Sequence, residues 1–175
     1  MTKVAIDPHA ITFEPLRVED LPLLHAWLHR PHVAEWWQPG PSLEEVEADY
    51  VPAIAGSIPN SAYIASLNGK PIGFIQSYSP TGFHHEGWWL EEHDPGVRGI
   101  DQFLCNAQDL NRGLGTAMIR AFASRLLADP TVTRLQTDPD PHNARAIRCY
   151  EKAGFKAAGE IDTPDGRALL MYCDR

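Results

Sequence analysis

The feature that most constrains the fold of this 175-residue chain is the glycine turn Arg112-Gly113-Leu114-Gly115-Thr116. It follows a short apolar run, Phe103-Leu104-Cys105, and precedes apolar residues that recur at helical spacing as far as Leu126. This pattern predicts a strand, a turn and then a helix. Two glycines at a helix start let backbone N–H groups approach an anion closely, and the helix dipole favours its charge. We interpret the turn as an anion site, to which Arg112 adds a charge, or as no more than a tight turn.

Composition favours one globular domain. The chain has 43% hydrophobic and 22% charged residues, which at this length fits a single domain with a sizeable core. Its 23 acidic and 15 basic residues give a net charge of −8, which argues against nucleic-acid binding and favours cationic ligands. No segment has the pattern of a signal peptide or a membrane span. We therefore predict a cytoplasmic protein that binds neither membranes nor nucleic acid, and we expect a monomer rather than a dimer.

Cysteine and histidine patterns do not identify a disulfide framework or a metal centre. The chain has three scattered cysteines: Cys105, Cys149 and Cys173. We interpret them as buried free thiols. His25 and His29 lie one helical turn apart, but two histidines without a third ligand are more often packing residues, and a metal at His84-His85 is a minor alternative. We expect no metal.

Local patterns predict the element order β-α-α-β-β-β-α-β-α-β-β. Ser42 with Glu45 matches a capping box at a helix start, and Asn68-Gly69 predicts a hairpin between two alternating strands. Residues 79–99 are rich in glycine, proline and tryptophan and are predicted to form a long, functional loop. We expect residues 1–10 to form a flexible extension and residues 11–175 to form one α/β domain with a mixed sheet.

A second informative block runs from Asn143 to Phe155 and reads N-A-R-A-I-R-C-Y-E-K-A-G-F. Together with the glycine turn upstream, it resembles the GNAT acyltransferase superfamily, whose pattern N-x-x-A-x-x-x-Y-x-K-x-G-F it matches at every fixed position. Further stretches, taken along the chain in this order, are similar to aminoglycoside 6′-N-acetyltransferases. They are H-V-A-E-W-W, G-W-W-L-E-E-H-D-P-G-V-R-G-I-D-Q, G-L-G-T, Q-T-D-P and T-P-D-G. This similarity covers almost everything after Leu21. One departure is that Leu110 and Asn111 stand where the superfamily usually has Gln or Arg and then Gly.

The resemblance implies a fold and a co-substrate. The expected fold is a single GNAT-type α/β (α+β) domain with a mixed central sheet, a splayed and bulged fourth strand, and flanking helices. The expected co-substrate is acetyl-CoA, with a backbone N–H near Leu104 facing the thioester carbonyl. The residues implied to bind it are Phe103, Leu104, Cys105, Arg112, Gly113, Leu114, Gly115, Thr116, Asn143 and Tyr150.

The chemistry of amine acetylation requires a proton acceptor and a proton donor. An amine attacks a thioester only while uncharged, so a base must remove a proton, and the resemblance assigns this role to Asp101. An ordinary aspartate has a pKa of about 3.9 and is a poor base for an ammonium, so burial must help. The alternative is that Asp101 caps a turn before the strand. The resemblance gives the acid role to Tyr150, whose alternative role is core packing.

Acidic and aromatic residues from separate loops outline the expected acceptor site. They are Trp36, Glu86, Trp88, Trp89, Asp101, Asp138 and Asp165. Each acid alone fits a solvated or turn-capping role, but acids that converge beside Asp101 would form a pocket for a polyammonium ligand, with tryptophan faces that would attract cations. We therefore predict transfer of the acetyl group of acetyl-CoA to the 6′-amine of an aminoglycoside antibiotic, giving resistance. The alternatives are an acyltransferase for a hydroxylysine-like siderophore precursor or another amine, and a non-catalytic module that binds aminoglycosides or CoA.

Overall fold

Seven strands form one mixed sheet in the order β1-β2-β3-β4-β5-β7-β6. The computed structural model describes residues 5–38 and 40–175. The strands are β1 (Ile11–Pro15), β2 (Asn60–Leu67), β3 (Lys70–Tyr78), β4 (Val97–Leu104), β5 (Arg134–Thr137), β6 (Lys156–Thr163) and β7 (Gly166–Asp174). Strands β4 and β5 run parallel, and the other neighbouring pairs run antiparallel. The predicted hairpin is confirmed, because Asn68 and Gly69 join β2 to β3 with positive φ angles of 50° and 79°.

Helices cover both faces of the sheet. They are α1 (Leu21–Leu28), α2 (Pro31–Ala34), α3 (Leu43–Ile54), α4 (Leu114–Leu127) and α5 (Ala144–Lys152). The capping box of Ser42 and Glu45 is present at the start of α3. Gly113, with φ 86°, precedes α4, and the side chain of Asn143 caps α5 by accepting from Ala146 N at 3.2 Å. The turn chemistry in the sequence therefore sets where these three helices begin.

Alternation along the strands sends apolar side chains into two cores. Phe74 and Phe103 pack in the core under α1 to α3, whereas Ile75 and Ile100 pack in the core under α4 and α5. All four are almost completely buried. Because a strand residue can face one side only, this alternation also fixes the face on which each polar residue of β4 lies.

Strand β4 separates from β5 along its length. The two strands pair only from Val97 to Gly99, and beyond this point the side chain of Thr137 donates to the carbonyl oxygen of Ile100 at 2.9 Å. From Ile100 to Leu104, β4 pairs with β3 alone. The predicted splay is therefore present.

The predicted bulge in β4 is not seen against β3. The β3–β4 register is continuous from Tyr78 opposite Gly99 to Gly73 opposite Leu104. Register shifts occur instead between β2 and β3, at Ala65 and Ser66, and between β6 and β7. The register shifts of the sheet therefore lie in strand pairs that do not include β4, and β4 pairs regularly with β3.

The segment 79–99, predicted as a loop, contains regular secondary structure. Residues Pro80–Glu86 form a 3-10 helix, and β4 already begins at Val97. Asp101 consequently lies inside the strand and does not cap a turn before it. Of the expected N-terminal extension, residues 1–4 lie outside the described residues, and Pro8–Ala10 form a short 3-10 helix. No helix in the described part of the chain is long and apolar enough to cross a membrane.

Candidate active site

Two cavities lie beside the part of β4 that has separated from β5. The larger has a volume of about 470 Å³ and the smaller about 200 Å³. Five residues line both: Trp36, Trp37, Gln102, Asn143 and Ala146. The cavities therefore share a wall, and a ligand in one lies next to a ligand in the other.

The larger cavity contains every residue predicted for the acceptor site. Trp36, Glu86, Trp88, Trp89, Asp101, Asp138 and Asp165 all line it. They come from the segment after α2, the 79–99 segment, β4, the end of β5 and the β6–β7 turn. Asp140 adds a further acid, and Arg167 is the one Lys or Arg side chain in the described lining. The cavity is therefore predominantly acidic, which suits a ligand with several ammonium groups.

Asp101 lies opposite Gln76 across the β3–β4 ladder. Its Oδ2 accepts a hydrogen bond of 3.1 Å from Nε2 of Gln76. Desolvation disfavours the charged carboxylate and raises the pKa of Asp101 to about 6, while the bond from Gln76 opposes the rise. An aspartate with this pKa remains ionised at neutral pH and is a stronger base than an exposed one.

Asp138 is a second carboxyl with a raised pKa in the same cavity. Burial, and then the charge of Asp101, raise its pKa to about 7. The indole Nε1 of Trp89 donates to its Oδ2 at 2.9 Å and opposes this rise. Because each carboxylate disfavours the ionisation of the other, the two titrate as a pair, and a cationic ligand beside them favours the doubly charged form.

Tyr150 and Tyr78 contribute buried phenols to the same cavity, at 4% exposure each. The hydroxyl of Tyr150 donates to the carbonyl oxygen of Ile100 at 3.5 Å. Burial raises the pKa of both phenols well above the ordinary value. Each hydroxyl is therefore a neutral hydrogen-bond donor at physiological pH, and Tyr150 is better suited to donate a hydrogen bond than to give up its proton completely.

The tryptophan pair is partly committed to contacts within the protein. Trp89 stacks on Tyr78 with ring centroids 4.4 Å apart and planes at 15°. Its φ of 45° is unusual for a residue with a side chain, and its neighbour Trp88 lies 4.9 Å away between centroids. One face of Trp89 is thus covered by Tyr78, and the indole edge points at Asp138, so Trp89 shapes the acid pair as well as the wall.

The smaller cavity contains most of the residues predicted for the co-substrate. Phe103, Leu104, Gly113, Gly115, Thr116 and Asn143 line it. Cys105, Arg112 and Leu114 line neither cavity, and Tyr150 lines the larger one. A Cβ added at Gly115 would lie 3.1 Å from Sγ of Cys149, so the helix start approaches α5 too closely for a larger residue to fit without displacement.

The positive charge of the smaller cavity comes from α5. Arg145, Arg148 and Lys152 line it, and His32 of α2 lines it as well. The three basic residues of α5 are spaced by three and four positions and so lie on one side of that helix, beside the first turn of α4. The cavity therefore combines helix N-terminal amides with basic side chains, an arrangement that binds phosphate groups.

Two backbone amides of β4 face the opening left by β5. Cys105 donates its N–H to the carbonyl oxygen of Ile72 in the segment paired with β4, at 2.9 Å. Since N–H groups alternate sides along a strand, those of Gln102 and Leu104 point away from β3. Amides in this position can pair with an extended ligand or stabilise a developing oxyanion.

Some lining residues were absent from the sequence prediction. Gln76, Asn60 and Gln102 are examples, as are the basic residues of α5. The helical spacing of Arg145, Arg148 and Lys152 after the Asn143 cap could have identified the latter. The side-chain amides of Gln76, Asn60 and Gln102 have no comparable sequence signal, because their positions in the cavity depend on strand register. Among residues 5–38 and 40–175, no three metal-ligating side chains converge on a common point.

Comparison with known proteins adds family information to this geometry. Residues 17–163 match a family model described as an acetyltransferase (GNAT) domain. The aminoglycoside N(6′)-acetyltransferase type 1 of Klebsiella pneumoniae is 50% identical over 169 residues, which cover 95% of this chain and 84% of that protein. A solved structure of AAC(6′)-Ib with paromomycin and acetyl-CoA has a TM-score of 0.90 and 50% identity, covering 95% of this chain and 94% of its own. A structure of AAC(6′)-Ib with coenzyme A and kanamycin has a TM-score of 0.89 and 50% identity, covering 94% and 95% respectively.

Proposed function

The chain belongs to the GNAT acetyltransferase family, and we propose that it transfers the acetyl group of acetyl-CoA to the 6′-amine of an aminoglycoside. The predicted family and the predicted single domain with a mixed sheet and flanking helices are confirmed. The observation that carries the functional proposal is the shared wall between an acidic cavity and a basic one. A polyammonium acceptor fits the first, and a phosphate-bearing donor fits the second.

The residues of the smaller cavity fit acetyl-CoA. The amides of the first turn of α4 would hold the pyrophosphate, with Arg145 and Arg148 as additional cations. The amide arm would run along the free edge of β4, and Asn143 would bind it through its side-chain N–H₂ group, since its Oδ1 already caps α5. Bound in this way, acetyl-CoA supplies an activated acyl group for transfer.

In the proposed reaction, the amine nitrogen forms a bond to the acetyl carbon and the carbon–sulfur bond breaks. Asp101 accepts the proton that the amine loses, and its pKa of about 6 leaves it ionised to do so at neutral pH. The N–H of Leu104 stabilises negative charge on the acetyl oxygen. Tyr150 donates a hydrogen bond to the departing sulfur, which becomes the thiol of CoA by taking up one proton from solvent, and Asp101 releases the proton that it accepted to solvent. Asp138 holds a second ammonium group of the acceptor beside the base.

A hydroxylysine-like acceptor fits the larger cavity less well. Its carboxylate would need a cation, and Arg167 is the one Lys or Arg side chain among the described lining residues. The guanidinium of Arg167 is engaged by Asp162 and Glu160, at 3.0 Å each. The acidic residues around Asp101 would repel a carboxylate, so the geometry favours a polycation.

Thiol release from acetyl-CoA tests the proposed function. The panel consists of kanamycin, tobramycin, amikacin, gentamicin, a polyamine and hydroxylysine. We expect aminoglycoside-dependent release with kanamycin and tobramycin and no comparable release with hydroxylysine. Release with hydroxylysine alone would overturn the proposal, and binding of kanamycin without release would identify a non-catalytic module. Expression in a susceptible bacterium is expected to raise the kanamycin concentration needed to stop growth.

A further inference from the structure

Three polar side chains form a hydrogen-bonded row across β2, β3 and β4. Nδ2 of Asn60 donates to Oε1 of Gln76 at 3.2 Å, and Nε2 of Gln76 donates to Oδ2 of Asp101 at 3.1 Å. Gln76 is directly opposite Asp101, and Asn60 is diagonal to Gln76, two residues from its partner Ala62. All three line the larger cavity. The row ends at the carboxyl that we assign as the base.

The direction of these hydrogen bonds is set by the carboxylate. An ionised Asp101 can only accept, so Gln76 must turn its N–H₂ group toward it and its oxygen toward Asn60. Asn60 must then use its own N–H₂ group on Gln76. This leaves Oδ1 of Asn60 buried without a hydrogen-bond partner among the described residues. A buried carbonyl oxygen without a partner lowers the free energy of unfolding. Asn60 nevertheless keeps its N–H₂ group on Gln76 and leaves its Oδ1 unpaired.

We propose that Gln76 and Asn60 are positioning residues for acetyl transfer, with Gln76 fixing the carboxylate of Asp101 and Asn60 fixing the amide of Gln76. The proposal rests on the proposed function, in which Asp101 is the base. Holding Oδ2 against Gln76 orients the carboxyl and leaves Oδ1 as the oxygen that receives the proton of the amine. Neither amide touches the reacting atoms, so both act through Asp101.

The row also opposes the effects that favour protonation of Asp101. Burial desolvates Asp101, and Asp138, beyond β5, adds a second negative charge. Three phenols also lie near this carboxylate: Tyr78 on β3, Tyr150 on α5 and Tyr50 on α3. The charge of Asp101 helps to raise their pKa values, so they stay neutral beside it. Loss of the donor from Gln76 would therefore leave Asp101 easier to protonate, and the pH at which activity is lost would rise.

The pH dependence of kcat/KM for kanamycin tests the proposal in variants of near-equal size. Gln76→Met is expected to move the acid limb up by about one pH unit and to lower kcat at pH 7 by about tenfold. Asn60→Leu is expected to move the limb in the same direction by less. Because Asn60 acts through Gln76, the double variant is expected to match Gln76→Met alone, whereas independent packing effects would add. The KM for acetyl-CoA should stay within about twofold of wild type in all three.

Ser61→Val provides the matched control, because Ser61 is exposed and points to the opposite side of β2 from Asn60. It should leave the acid limb in place. An unchanged acid limb in folded Gln76→Met would overturn the proposal, as would additive losses in the double variant. If Gln76→Met does not fold, Asn60→Leu decides alone, and an unmoved limb in it overturns the proposal.

A second readout separates this inference from the proposed function. If wild type releases no thiol with any aminoglycoside, the proposed function fails. The positioning of Asp101 is then measured without substrate, by ¹³C NMR titration of its carboxyl in wild type and Gln76→Met. We expect the midpoint to be higher in the variant, and equal midpoints would overturn the inference.

Discussion

The indole Nε1 of Trp89 donates a hydrogen bond of 2.9 Å to Oδ2 of Asp138, which lies 49 residues further along the chain. This bond links the segment before β4 to the end of β5 and lowers the pKa of Asp138 against the effect of burial. Trp89, which was predicted to attract cations with the face of its ring, is therefore also a hydrogen-bond partner of the acid pair.

Trp89→Phe removes this donor and keeps a ring that can stack on Tyr78. The pKa of Asp138 should rise, so the pair should hold a proton at higher pH and bind cations less well near neutrality. We expect the acid limb of kcat/KM for kanamycin to move to higher pH and the KM at pH 6.5 to rise several-fold. Trp88→Phe is the matched control, since Trp89 and not Trp88 donates the hydrogen bond to Asp138, and it should leave the limb in place. Equal profiles for wild type and Trp89→Phe would contradict this role.

The acid pair should make stability depend on pH in a predictable direction. Folded Asp101 and Asp138 have pKa values of about 6 and about 7, whereas an unfolded chain releases these protons near pH 4. The folded state thus holds more protons between these values, and the free energy of unfolding contributed by the pair falls as pH rises from about 4 to 7. Above that range the penalty for two buried charges is constant.

Asp138→Asn should remove most of this penalty. We expect the free energy of unfolding in urea at pH 8 to increase by about 1–3 kcal/mol and to change little at pH 4. Asp94→Asn is the control of opposite sign, because bonds from Thr133 and the Gly96 N–H lower the pKa of Asp94 and stabilise its charged form. It should destabilise the protein at pH 8. A destabilised Asp138→Asn protein at pH 8 would refute the assignment of a charge penalty to this site.

The basic residues of α5 should govern the affinity for acetyl-CoA. Arg148→Gln removes one cation from the smaller cavity and is expected to raise the KM for acetyl-CoA about fivefold at low ionic strength, with less effect at high salt. The KM for kanamycin should not change. Arg125→Gln is the matched control on α4, since Arg125 stacks on Tyr63 outside both cavities. If both variants alter the KM for acetyl-CoA equally, the cations of α5 do not bind its phosphates.

Local chemistry in the sequence was sufficient to predict the helix starts and the hairpin. Ser42 with Glu45, Asn68-Gly69 and the glycine turn before α4 each act through neighbouring backbone groups, so their structural effect can be predicted from adjacent residues. The predicted loop over residues 79–99 extended too far, because the residues before Val97, where β4 begins, are rich in glycine, proline and tryptophan. Pairing with β3 and β5 overrides that local preference.

The parts of the site that were missed depend on distant contacts. Gln76 meets Asp101 because β3 and β4 pair in one particular register, although the residues are 25 positions apart. Trp89 reaches Asp138 across an even longer separation. Register follows from the packing of whole strands on two cores, and no short pattern around Gln76 reports it. Among the acidic residues, Asp101 was predicted from the family resemblance, whereas Glu86, Asp138 and Asp165 were predicted as acids of three separate loops.

Transfer of an isotope-labelled acetyl group tests both the acceptor nitrogen and the role of Asp101. Wild type and Asp101→Asn are each supplied with [1-¹³C]acetyl-CoA and kanamycin, and NMR measures the initial rate at which label appears on the 6′-nitrogen. We predict labelling at this nitrogen by wild type and a rate at least about 100-fold lower for Asp101→Asn, with acetyl-CoA binding retained. Label on another nitrogen would contradict the proposed acceptor position, and equal rates in the two proteins would contradict Asp101 as the base.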